Sequence, residues 1–126
     1  PNPSMILRWL LLLLVFATGV ARAAEPDLLD PEKAFAFSAR VVAPDAVEVR
    51  YVIAKGYYLY RDKFRFSLEP AAAGAGPAEL PPGLVHKDEF FGETAIYRDE
   101  VRIRLPVQAG SVQRAVLTAV SQGCAD

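Results

Sequence analysis

Hydrophobic and polar residues alternate along most of this chain, and the period is two. The stretch "AFAFSARVV" puts Phe35 and Phe37 on one face, and "VEVRYVIA" puts Val47, Val49, Tyr51 and Ile53 opposite Glu48 and Arg50. "YYLY" separates Tyr58 and Tyr60 from Tyr57 and Leu59, and "FRFSL" repeats the pattern through Phe64, Phe66 and Leu68. In "VRIRLPV", Val101, Ile103, Leu105 and Val107 face inward while Arg102 and Arg104 face out. "RAVLTAVSQ" reads as a last strand that delivers Gly123 and Cys124. Alternating β-branched and aromatic residues describe half-buried strands. Turn chemistry separates them at "APDA" (43–46), Lys55-Gly56 and "QAGS" (108–111). Pro106 has no amide to give a ladder, which places the end of its strand at a sheet edge. The Pro- and Gly-rich segment 69–83 predicts no regular structure. No long amphipathic helix appears. Many short strands with regular turns predict an all-β fold, an antiparallel sandwich or barrel.

The first residues break this pattern. Met5 and Arg8 lead into the apolar run "WLLLLLVFATGV", and Ala21 and Ala23 form a small-x-small exit. This is the layout of a secretory signal peptide over residues 1–23, with residues 1–4 as an upstream extension. The competing reading is an uncleaved anchor, but the run falls short of the ~20 residues that span a bilayer. One domain, residues 24–126, remains. It carries twelve basic and fifteen acidic residues, a net charge of −3 with His86 neutral. That balance argues against nucleic acid, whose binding needs a basic face, and against an anionic lipid surface.

An exported chain with a single cysteine, Cys124, poses a problem, because structural cysteines outside the cytoplasm come in pairs. An odd one signals an intermolecular bond, a reactive thiol or an absent partner. One His and one Cys make no zinc site. A Cys124–His86 nucleophilic pair is conceivable, but a lone His in "LVHKDEF" reads as a surface residue. "HKDEFFGETAIYRD" reads either as a loop whose Phe residues tuck into the core or as a functional loop holding Phe90 over something. In "SQGCAD" the Gly allows a sharp turn beside the thiol.

"AFAF", "GYYLYRDKF", "LPPGLVHKDEFFGETAIYRDEV" and "QGCAD", in this order and at these intervals, resemble the family of N-terminal periplasmic domains of thiol:disulfide interchange proteins (DsbD) over nearly all of residues 30–126. The resemblance implies an immunoglobulin-like antiparallel β-sandwich and a parent protein of the bacterial inner membrane, to which this periplasmic domain is tied only through further domains. It implies a protein-disulfide reductase activity without a cofactor or metal. Reducing equivalents would pass from a membrane-embedded transporter by way of a thioredoxin-like domain of the same parent. They would go on to periplasmic disulfide isomerases and cytochrome c maturation thiol proteins. The family motif continues past "GCAD" to a second cysteine, so the domain is expected to be incomplete at its C-terminus, with an exposed edge, and not competent alone. Cys124 is implied as one half of the redox pair. Phe90 matches the family's cap residue, beside Phe91 and Gly92. Asp88 and Glu89 match acidic positions near the sulfurs, where negative charge disfavours thiolate. Tyr58 and Tyr60 match aromatics whose hydroxyls reach those carboxylates. The alternative is a non-catalytic immunoglobulin-like binding module in which Cys124 is incidental or links two copies.

Overall fold

A computed structural model describes residues 27–108 and 112–126. The expected signal peptide, the start of the domain at residue 24 and most of the 108–111 turn therefore lie outside the described residues. Among the described residues, nine strands follow one turn of helix, α1 (Pro31–Ala34): β1 (Phe35–Ala43), β2 (Ala46–Ile53), β3 (Tyr57–Tyr60), β4 (Arg65–Glu69), β5 (Leu84–Asp88), β6 (Gly92–Tyr97), β7 (Glu100–Pro106), β8 (Val116–Val120) and β9 (Gly123–Ala125). They form antiparallel sheets ordered β1-β2-β7, β5-β6-β3-β9 and β4-β8. This is an immunoglobulin-like β-sandwich.

The alternation explains how the sheets meet. Val49, Tyr51 and Ile53 of β2 and Val101 and Ile103 of β7 are buried against Leu59 of β3 and Tyr97 of β6. Each fully buried aliphatic side chain here contributes about 1.5–3 kcal/mol of transfer free energy. The outer face of the same sheet carries charge. Glu48 lies between Arg40 and Arg102 at 3.3 and 3.6 Å, and Glu100 between Arg50 and Arg102 at 2.9 and 2.7 Å. These pairs are solvent-facing and orient the face more than they stabilise it.

β7 is an edge strand, as Pro106 requires. Its carbonyls do not go unused, because the amides of Gly76 and Glu79 donate to Pro106 and Arg104 at 2.8 Å each. The segment 69–83 is thus more ordered than its composition predicts. It contains a 3-10 turn at Ala71–Ala73 with Ala73 buried, and its backbone shields the open edge.

The other edge of that sheet is different. On β1, Phe37, Val41 and Val42 are largely exposed, although Phe37 and Val41 pair in register with the inward-facing Tyr51 and Val47. On β8, Val116 and Val120 are also exposed. Between the two strands runs an open apolar cleft, about 440 Å³ beside Val41, Val47 and Leu117 and about 700 Å³ beside Phe35, Phe37 and Leu117.

Candidate functional site

β3 organises the site. Its alternation sends Leu59 into the main core and turns Tyr58 and Tyr60 toward the other side, where they form a second cluster with Ile96. The sequence predicts one strand running through to Cys124, but the chain breaks at Ser121–Gln122 and changes sheets. β8 pairs with β4, whereas β9 pairs with β3. In that register Cys124 is the direct partner of Tyr58, Gly123 of Leu59 and Ala125 of Tyr57. Cys124 is half-buried against the tyrosine cluster, and its thiol donates to the Ala125 carbonyl at 3.3 Å.

Gly123 serves a purpose the sequence reading did not assign. A Cβ there would sit 2.4 Å from the Phe35 ring and 2.7 Å from the Tyr58 carbonyl. The glycine permits close approach of strands, not a sharp turn.

"HKDEFFGETAIY" is not a loop but a hairpin of β5 and β6, with its tip at residues 89–91. Gly92 closes the tip with φ of 69°, the left-handed conformation that favours glycine. Asp88, at the root, is buried and accepts four hydrogen bonds. The hydroxyls of Tyr58 and Tyr60 both donate to Oδ1, the latter at 2.6 Å, and the amides of Phe90 and Phe91 donate to Oδ2 at 2.7 Å each. One carboxylate thereby ties the hairpin tip to the strand that faces the thiol.

The electrostatics follow from these contacts. Burial alone would raise the Asp88 pKa, but the two phenols and two amides outweigh it and hold the group at about 2. Burial, and then the Asp88 carboxylate, push Tyr58 and Tyr60 well above the ordinary phenol range, and the Cys124 side chain adds to both shifts. Asp88 is therefore a fixed anion and the tyrosines fixed donors at neutral pH.

The remaining expected residues separate. Glu89 is exposed at the tip. Neither Phe tucks into the core. Phe90 is 70% exposed, whereas Phe91 packs edge-on against Tyr60 with ring centroids 5.0 Å apart, beneath the Lys63 ammonium at 4.7 Å. His86 is half-buried, not a free surface residue. Its ring lies 4.8 Å from that of Tyr58.

Sequence reasoning passed over Arg98, which follows β6. Its guanidinium grips Asp126 with two bonds of 3.0 and 2.8 Å and lies 5.2 Å from the Tyr58 ring centre. A charge at a strand end carries no periodic signal. Among the described residues no group of His, Cys, Asp and Glu side chains is arranged to hold a metal.

Comparison with known proteins shows the family. A family model described as "Thiol:disulfide interchange protein DsbD, N-terminal" matches residues 25–126. The chain is 43% identical over 93 residues to thiol:disulfide interchange protein DsbD 1 of Pseudomonas aeruginosa, covering 72% of this chain and 16% of that protein. It is 40% identical over 119 residues to DsbD of Ralstonia nicotianae, covering 92% and 19%. With DsbD of Escherichia coli the identity is 38% over 113 residues, covering 89% and 19%. The chain thus spans less than a fifth of the length of these curated relatives. Among solved structures, the reduced N-terminal domain of Neisseria meningitidis DsbD superposes with a TM-score of 0.71 at 37% identity, covering 82% of this chain and 81% of that one. A complex between the DsbD and PilB N-terminal domains of the same organism matches with a TM-score of 0.64 at 39% identity, covering 79% and 77%.

Proposed function

The chain belongs to the family of DsbD N-terminal domains, and from that premise we propose that it is the thiol–disulfide relay module of a periplasmic protein-disulfide reductase. The observation that carries this reading is the pairing of Cys124 with Tyr58, whose hydroxyl shares the Asp88 carboxylate with Tyr60 and with the amides of a hairpin tip.

The chemistry needs two sulfurs. Cys124 is the only cysteine of this sequence, so the second is assigned to the parent protein beyond Asp126. In the reduced domain, the second thiolate attacks one sulfur of a partner's disulfide, forms a mixed disulfide and releases one partner thiol. The Cys124 thiolate then attacks the mixed disulfide, closes a bond within the domain and releases the other partner thiol. Two electrons and two protons leave the domain. A thioredoxin-like domain of the parent returns them. The recipients are periplasmic thiol proteins of the disulfide-isomerase and cytochrome c maturation classes. That the related Neisseria domain forms a complex with a PilB N-terminal domain supports a docking surface for a protein partner.

Each nearby residue has a physical part in this scheme. Asp88 holds the hairpin tip by its backbone while leaving the Phe90 ring free. A cover anchored at its main chain and loose at its side chain suits a cap that a cognate partner displaces. Phe91, clamped between Tyr60 and Lys63, fixes the hinge of that cap. Glu89, exposed beside Phe90, adds negative charge at the rim where the partner arrives.

The test uses the parent protein with Cys124→Ser. Removing the resolving sulfur leaves the mixed disulfide without its escape route. A covalent adduct with an oxidised thioredoxin-like partner accumulates and is cleaved by dithiothreitol. If no adduct forms while the partner reacts with other dithiols, the relay assignment fails, and the binding-module reading takes its place.

A further inference from the structure

Among the described residues, β9 is a three-residue strand at the edge of its sheet, and it carries the thiol. Short edge strands are the first to fray, because each holds few hydrogen bonds and little buried apolar surface. β9 is nevertheless held at both ends. At its start the Tyr60 amide donates to the Gln122 carbonyl at 3.0 Å, and at its finish the Asp126 amide donates to the Gly56 carbonyl at 2.7 Å. Among the described residues, the finish alone has a side-chain fastening. Arg98 Nη1 and Nη2 donate to Asp126 Oδ2 and Oδ1, and Nη1 also reaches the Tyr57 carbonyl at 3.4 Å. The same guanidinium lies against the Tyr58 ring, the strand partner of Cys124. Arg98 follows directly on β6, the return strand of the Asp88 hairpin.

We propose that Arg98 and Asp126 form a latch that sets how far the thiol-bearing strand opens, so that Arg98 is a positioning residue for Cys124. The proposal rests on reading Cys124 as the redox-active thiol. A forked guanidinium–carboxylate contact fixes direction as well as distance, which is what keeps a three-residue strand in register. The latch couples the cap hairpin to the cysteine strand. A partner that displaces the hairpin tip would strain the β6 end and, through Arg98, loosen β9. Lysine cannot replace this fork, since it presents a point charge.

Native-state alkylation of Cys124 by iodoacetamide at fixed pH, beside hydrogen exchange at the Cys124 and Asp126 amides, tests the latch in the whole chain. Arg98→Gln and Asp126→Asn should each raise both rates about three- to fivefold, the range open to a partly exposed ion pair. The double variant should rise no further than Arg98→Gln alone, because the contact with Asp126 is already gone there. Arg98→Lys should fall between. Amides of Val49 and Ile103 in the core should exchange as before. Unchanged Cys124 alkylation in both single variants overturns the latch, as does an additive double variant or a rise shared equally by the core amides. Should the variants not fold, the unaltered chain serves: about 0.5 M salt screens the pair, and an unchanged β9 exchange rate then overturns the proposal. None of these readouts requires a second sulfur. A responsive alkylation rate in a protein that forms no mixed disulfide would therefore remove the relay and leave the latch.

Discussion

The Asp88 carboxylate sits under two phenols and two amides, every one of them a donor, and only the ionised form can accept all four. Its pKa in the fold, about 2, lies below the ordinary 3.8. The stabilisation it provides is therefore complete above about pH 4 and is lost as the pH falls toward 2. Asp88→Asn places an amide donor against at least one of the existing donors. It should lower the denaturation midpoint at neutral pH and flatten the acid limb of a stability–pH curve between pH 4 and 2. Glu100, held at about 2 by Arg50 and Arg102, acts in the same direction, so the limb should flatten without vanishing. Tyr58→Phe removes one donor to a charged acceptor and should cost about 1.5–3 kcal/mol. A denaturant titration of each variant checks both. At this scale the sequence was legible in identity but not in grouping. Asp88 and Glu89 are adjacent acids, and only the fold shows one buried at a hairpin root and the other exposed at its tip.

At the scale of elements, the site depends on how closely β9 lies against β3. Gly123→Ala would drive a methyl group into the Phe35 ring and the Tyr58 carbonyl, of which the carbonyl cannot swing away. A loss of about 1–3 kcal/mol is expected, typical of overpacking, together with faster alkylation of Cys124 as β9 shifts outward. Thermal unfolding and iodoacetamide kinetics on the same sample read the two effects. The strands β2 and β7 were predictable because each buries one face, which fixes a period of two. The break between β8 and β9 was not. "RAVLTAVSQGCA" keeps its apolar character while the chain leaves one sheet and joins another, and no local signal marks the change of partner. The hairpin at residues 84–97 was half legible. Gly92 marked its turn, but exposed aromatics at a tip look in sequence like core residues.

Across the molecule, burial is uneven. β2 and β7 are packed on their inner face, while β1, which continues the same sheet, is exposed beside the cleft that separates it from β8. Substitutions should divide accordingly. Ile103→Ala, at a position fully shielded from solvent, should cost about 2–5 kcal/mol. Val41→Ser, at 76% exposure, should change stability by less than about 0.5 kcal/mol. The apolar cleft should also bind a hydrophobic fluorescent dye under native conditions, and Phe37→Ser should weaken that binding. A Val41 substitution as costly as Ile103→Ala would mean that β1 is covered in solution. The all-β class was readable from alternation and the immunoglobulin-like sandwich from the family resemblance, but the open side was not, because Phe37 and Val41 keep the same alternation as the inward-facing positions opposite them.

Peptide mapping of the intact parent protein bears most directly on the role of Cys124. The reduced protein is mixed with an oxidised thioredoxin-like partner, free thiols are blocked, and the digest is read by mass spectrometry. The account predicts that the peptide containing Gly123-Cys124-Ala125-Asp126 is recovered disulfide-linked to a second cysteine of the same domain, with the partner's cysteines reduced in equal amount. Recovery of Cys124 as a blocked free thiol after the partner has been reduced would contradict it.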